Sequence, residues 1–165
     1  MIILTMQRAN RFWCIGLLLT VAVGIASCDR KVIYTHYEPA HISGWDKNDS
    51  LSFDIPTIKQ SGFYRQDMGL RILNDFPFQT LSLVIKQTIH PSGYQYLDTV
   101  NCVVFDRQGR PKGSGISYYQ YHFHFKTVRL LEGDSLHVSI MHNMKREIMP
   151  GISDVGLQMK LEKAI

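Results

Sequence analysis

Apolar and polar residues alternate with a period of two along most of this chain, the mark of strands with one dry face and one wet face. In Thr80–Ile89, Leu81, Leu83, Ile85 and Ile89 share one side, while Ser82, Lys86 and Thr88 dominate the other. Leu136, Val138 and Ile140 oppose His137 and Ser139 in the same way. Val155, Leu157, Met159 and Leu161 oppose Gln158, Lys160 and Glu162. Shorter runs of this kind fall at Lys31–Tyr37, Ser50–Ile55, Tyr64–Leu73 and Tyr94–Phe105, with an aromatic run over Tyr118–Lys126. Turn signals separate them at His90–Gly93, Asp106–Gly115, Leu131–Asp134 and Met149–Gly151. About eight half-buried strands predict an all-β fold, a single antiparallel β-sandwich of jelly-roll-like form with very little helix. The one helical turn expected is Asn143–Met149, stopped by Pro150 and Gly151.

The N-terminal segment follows another rule. Arg8 and Arg11 precede an uncharged run from Phe12 to Ala26, and the first acidic residue is Asp29. That is the order of a secretory signal, and the run is short of the roughly 20 residues a spanning helix needs. The expected organisation is a signal over 1–27, a tether and first strand over 28–45, and the sandwich over 46–165, with the first strand entering from about residue 31. The formal charge of +4 includes Arg8 and Arg11, so without the leader it falls to +2. This is too small an excess to point to nucleic acid or to electrostatic membrane binding. Of the three cysteines, Cys14 leaves with the signal, and Cys102 lies in an apolar strand where it is expected to pack as a small hydrophobe.

Candidate chemistry is sparse. His122 and His124 would point to one face of a strand, roughly 6.5–7 Å apart, a spacing able to chelate a metal. Gly115 and Glu132 stand at the wrong spacings to complete a jelly-roll metal motif around them, and His137 or His142 could supply a third ligand only through a fortunate strand pairing. The other face of that strand is Tyr119, Tyr121, Phe123 and Phe125. This makes Gln120, His122, His124 and Lys126 the expected solvent side. No Gly-x-Ser-x-Gly elbow, phosphate loop or zinc-ligand spacing occurs, and Asp106, Asp134 and Asp154 fall where Asp folds turns. The expectation is no enzyme and no cofactor. Two binding surfaces remain open. Trp45, Tyr94, Tyr96 and Tyr118 offer a platform for sugar rings. The loop with Met144, Lys145, Arg146, Ile148 and Met149 offers an apolar patch rimmed by charge for a protein partner, or else a lid on the sandwich.

Ile25–Cys28, "IASC", resembles a bacterial lipobox. The resemblance implies cleavage before Cys28 and lipid on its sulfur and on the new amino terminus, a two-chain anchor that holds stably. With that feature stand Trp45–Phe53, Phe63–Ile85, Asp98–Gly115 and His142–Met159. Together these segments resemble the gliding-motility lipoprotein GldH family of the Bacteroidetes. The most specific parts are Arg71, Asn74, Phe76 and Pro77, the "DRQG" turn at Asp106–Gly109, and "GISDVG" at Gly151–Gly156. The resemblance implies a non-enzymatic, lipid-anchored envelope protein tied to gliding and its secretion machinery, acting through protein partners. Of functional residues, only Cys28 carries over. After the "DRQG" turn the family pattern has an aromatic residue where this chain has "RPKG", so no contact is carried to that hairpin. The stretch after Cys28 lacks an acidic cluster, and a periplasmic face is expected.

Overall fold

The computed structural model describes residues 31–165. The leader, its cleavage point and Cys28 lie outside the described residues. Ten strands follow in order: β1 (Val32–Pro39), β2 (Trp45–Asp46), β3 (Leu51–Ile55), β4 (Gly62–Leu73), β5 (Thr80–His90), β6 (Tyr94–Val103), β7 (Tyr118–Leu130), β8 (Ser135–His142), β9 (Ile148–Met149) and β10 (Ile152–Ala164). Every pairing is antiparallel. One sheet runs β1-β10-β4-β7, the second runs β3-β8-β5-β6, and β2 with β9 forms a short ribbon. Apart from the β5–β6 hairpin, which stays in one sheet, successive long strands switch between the two large sheets in the manner of a double-sheet jelly roll.

The alternation read from the sequence decides which side faces in. Met68, Leu70 and Ile72 of β4, with Val155, Leu157 and Met159 of β10, close one side of a single core. Leu81, Leu83 and Ile85 of β5, with Val138 and Ile140 of β8, close the other. Cys102 is fully buried among them, as expected.

Three expectations fail, each for a local reason. Asn143–Met149 is not a helical turn: Ile148–Met149 is extended and pairs with Asp46 and Trp45. Met144 and Met149 are drawn inward instead, and a ribbon strand satisfies the backbone more directly than an isolated turn of helix. Lys126 does not share the wet face of His122 and His124. The β4–β7 register slips between Gln66↔Lys126 and Asp67↔His124, leaving Phe125 as a bulge residue. A bulge reverses the facing of everything beyond it. Lys126 therefore points toward the gap between the sheets, where Nζ donates to both oxygens of Asp98 at 2.9 and 3.0 Å and lies 4.4 Å from the Tyr96 ring centroid. Asp154, finally, lies within β10 rather than in a turn.

Candidate ligand-binding and docking surfaces

The outer face of the β1-β10-β4-β7 sheet is organised by two glycines. Gly156 of β10 and Gly69 of β4 are register partners, and Tyr37 of β1 stands opposite Gly156. Without β-carbons there, the Tyr37 ring lies across both strands. A β-carbon on Gly69 would collide with the tyrosine hydroxyl, and one on Gly156 would come 2.6 Å from Cζ. Glycine inside a strand often marks such a close approach. Above the ring sits the Arg71 guanidinium, its Cζ 4.1 Å from the Tyr37 centroid and 5.7 Å from that of Tyr118. Arg71 Nη1 lies 3.7 Å from Asp154 Oδ1, and Gln120 Nε2 donates to the Tyr37 hydroxyl at 3.4 Å. The tyrosine is thus covered from below by glycine and from above by arginine, and its ring is not a free platform.

His122 and His124 are on this same outer face but in separate arrangements. His122 Nε2 lies 3.2 Å from Gln120 Nε2. His124 Nδ1 lies 3.2 Å from Asp67, whose two oxygens each accept from Arg65 Nε at 2.9 Å. A third histidine ligand does not come near: His137 pairs with Asp54 on the other sheet, and His142 is buried. Among the described residues no three His, Cys, Asp or Glu side chains group as a metal cage. The inward-facing pair that a metal centre would require is not the arrangement observed, because Tyr121 and Phe123 take the inner side.

The four aromatic residues proposed as a sugar platform are dispersed. Trp45 is 1% exposed, since β2 holds it over the core, with the indole N–H donating to the Asp49 carbonyl at 3.1 Å. Its ring meets His142 edge-on at 5.5 Å. Tyr118 belongs with Arg71 on the outer face. Only Tyr94 and Tyr96 stay together, centroids 4.9 Å apart, beside a cleft of about 330 Å³ that is also lined by Ile89, Arg129, Leu131 and Asp134.

The loop 143–151 divides its tasks. Met149 is fully buried, and Met144 sulfur accepts from the Ser82 amide at 3.4 Å, so the two methionines pin the loop as a lid. Lys145, Arg146 and Ile148 stay exposed, and Ile148 packs against Gly44 beside the fully exposed Ile42. The side chains left exposed at this end therefore include Ile42, Lys145, Arg146, Glu147 and Ile148, without the methionines.

Segments singled out as most specific meet at this end of the sandwich. Leu73 donates its amide to the Gly151 carbonyl at 2.8 Å. Gly151, at φ 75°, leaves room for Phe76, whose Cα would lie 2.7 Å from a β-carbon there. Val104 and Phe105 both donate to the Gln79 carbonyl, which fastens the Asp106–Gly109 turn next to Phe76–Phe78. In that turn Asp106 Oδ1 accepts from the amides of Gln108 and Arg110, at 2.9 and 2.8 Å. The Arg110 amide first, then the Arg110 guanidinium and the Gln108 amide, hold the Asp106 carboxyl below its ordinary value against a smaller opposing effect of burial. The buried Cys102 thiol, by contrast, is pushed up to about 12. Such a thiol carries no thiolate at neutral pH and is no nucleophile.

These observations define an all-β jelly-roll domain whose conspicuous surfaces are an arginine–tyrosine face, a cleft by two tyrosines and a basic, apolar end. The family model described as GldH lipoprotein matches residues 32–159, and the chain belongs to that family. It is 27% identical to the gliding motility lipoprotein GldH of Flavobacterium johnsoniae, covering 88% of this chain and 94% of that protein. It is 26% identical to the GldH homolog of Christiangramia forsetii, covering 82% of this chain and 87% of that one. Among solved structures, a 4-O-methyl-alpha-glucuronidase aligns with a TM-score of 0.47 at 12% identity, over 82% of this chain and 18% of the enzyme.

Proposed function

We propose that this chain is a non-enzymatic accessory of a gliding-motility machine in the cell envelope, held to a membrane by lipid on Cys28 and working by binding a protein partner from the periplasmic side. The supporting observation is the family match, which runs from β1 to β10 and so takes in nearly the whole sandwich. The names of the relatives supply the gliding context and the lipid anchor. The end bearing Ile42, Lys145, Arg146 and Ile148 supplies a surface with the composition of a docking site: apolar at its centre and charged at its rim. A binding role in the secretion machinery associated with gliding follows from the same reading.

The alternative is a glycan- or peptidoglycan-binding module on the same tether. The Tyr94–Tyr96 pair beside its cleft favours it, because paired aromatic rings with a nearby Arg129 and Asp134 suit a sugar's apolar face and its hydroxyls.

One experiment separates the readings. Native cells carrying the full-length chain or its Cys28→Ser variant are crosslinked, and the captured proteins and wall fragments are identified. Gliding-machine proteins captured by the anchored form, and lost with Cys28→Ser, are the expected result. Wall glycan retained equally by both forms, with no machine protein, would replace the proposal by the alternative.

A further inference from the structure

The four sheet edges are not treated alike. β1 carries a register shift between Val32 and Tyr34 and ends at Pro39. β3 is only five residues long and is followed by Pro56. β7 carries the Phe125 bulge, and near its start Ser114 and Gln120 exchange both backbone hydrogen bonds. Bulges, proline, short length and a covering loop are the usual means of keeping an edge from pairing with another chain. β6 has none of these. It pairs with β5 over Tyr94–Val103 without a register shift, holds no proline, lysine or arginine, and its one charge, Asp98, is held by Lys126.

The alternation of the ladder shows which groups this edge offers. The Val104 amide donates toward β5 at Gln79, and the Ser82 carbonyl of β5 accepts from the other side, at Asn143. Even-numbered residues of β6 therefore bond to β5, and Gln95, Leu97, Thr99, Asn101 and Val103 aim N–H and C=O away from the sheet. All five are exposed, Leu97 at 72% and Val103 at 45%. Next to Asn101 and Val103 the edge borders an open cleft of about 490 Å³, also lined by Lys112, Gln120, His122 and Phe123. The hairpin that follows β6 bonds just beyond its end, Lys112 donating to the Val104 carbonyl at 2.9 Å, and borders the cleft beside Asn101 and Val103.

We infer that β6 is a self-association edge, and that its occupant is β6 of a second copy, antiparallel about a two-fold axis through Thr99. In that register every outward main-chain group of one copy meets one of the other. Thr99 faces Thr99, Leu97 faces Asn101 and Gln95 faces Val103, while Asp98 falls opposite Val100. No like charges meet, and a Thr–Thr cross-strand pair is favourable. The five outward residues of each copy would exchange about ten main-chain hydrogen bonds, joining two four-stranded sheets into one. The interface uses neither the 143–151 loop nor the Tyr94–Tyr96 cleft side, and does not rest on the accessory reading.

The test reads the register directly. In an antiparallel hydrogen-bonded pair the Cα atoms stand about 5.5 Å apart, inside the range a disulfide spans, whereas Asn101 would lie roughly 13 Å from its own copy. Membranes carrying the full-length chain are oxidised with copper–phenanthroline and run on a non-reducing gel, with the unsubstituted chain as blank. Thr99→Cys should give a dimer band, and Asn101→Cys alone should not. Co-expressed Leu97→Cys and Asn101→Cys chains, separately tagged, should crosslink to each other. Adding Thr99→Pro to that pair should abolish the crosslink without lowering the melting temperature, since an outward N–H is where an edge accepts proline. A Thr99→Cys band no stronger than that of Asn101→Cys, or a crosslink that survives Thr99→Pro in the folded protein, overturns the inference.

Discussion

Replacing Gln66 and Gln87 by methionine, singly and together, probes a fully buried side-chain hydrogen bond that crosses the core between the two sheets. Both residues are fully buried, Gln66 on β4 and Gln87 on β5. Gln66 Nε2 donates to Gln87 Oε1 at 2.8 Å, while Gln66 Oε1 and Gln87 Nε2 have no partner among the described residues. One hydrogen bond therefore serves two amides that each gave up hydration to enter the core. A hydrogen bond of this kind contributes about 1 kcal/mol net, and each buried group left without one costs about 1–3 kcal/mol.

From these magnitudes the single changes and the double change part company. Gln66→Met or Gln87→Met strands the remaining amide and should destabilise by about 1–3 kcal/mol. The double variant removes all four polar groups and fills nearly the same volume with apolar atoms. It should lie within about 1 kcal/mol of the parent or above it, as when both partners of a buried pair become apolar. With the double variant near the parent, the coupling equals the sum of the singles, about 2–6 kcal/mol, far outside the few tenths expected of independent sites. Urea unfolding of residues 31–165, followed by tyrosine and tryptophan fluorescence, measures all four corners of the cycle. Singles within about 0.5 kcal/mol of the parent, or a double variant as unstable as the sum of the singles, would refute the reasoning.

Three further outcomes follow from other parts of the molecule. Gly156→Ala should destabilise by about 1–3 kcal/mol, because its new methyl group meets the Tyr37 ring, and Tyr37→Ala should remove most of that penalty in the double variant on thermal melting. Cys102 should resist iodoacetamide at pH 8 in the folded domain and react once urea unfolds it; rapid labelling of the native fold would contradict a thiol raised to about 12. Asp106 has a folded value below its ordinary 3.8, so its contribution to the turn is present above that pH and is lost as pH falls through the lower folded value. The amide resonances of Gln108 and Arg110 should hold their positions down to pH 4 and move below it, and Asp106→Asn should abolish that movement.

The long strands were legible because period two survives in sequence wherever one face of a sheet is wet. The failures are places where one residue breaks that period for a tertiary reason. Gln87 occupies the apolar phase between Ile85 and Ile89, and nothing local says that Gln66 of another sheet will receive it. Lys126 changes face because of a single bulge at Phe125, and a bulge is set by the partner strand's register rather than by the bulged sequence. The ribbon of Trp45–Asp46 with Ile148–Met149 is too short to show any period, and it is what takes Trp45 out of the reach of a ligand. Gly69 and Gly156 were the readable sign of the Tyr37–Arg71 arrangement, since glycine in mid-strand asks what comes close. Their meeting with Tyr37 required the pairing of β1, β10 and β4 to be known.

The distribution of these features assigns different work to different surfaces. On the outer face of the β1-β10-β4-β7 sheet, side chains satisfy one another: Tyr37 is capped by Arg71, and Asp67 is shared by Arg65 and His124. A partner docking there would have to break contacts the domain already makes, and affinity would be reduced by that reorganisation. The loop end presents Ile42 and Ile148, which have few such partners to lose, above methionines that keep the loop in place. The β6 edge presents a row of solvated main-chain groups that another strand can pair with. Rigid lid, exposed apolar tip and open edge are therefore separate in position and in chemistry, so the domain can pair with its own kind along β6 and still leave the loop end free for a different protein.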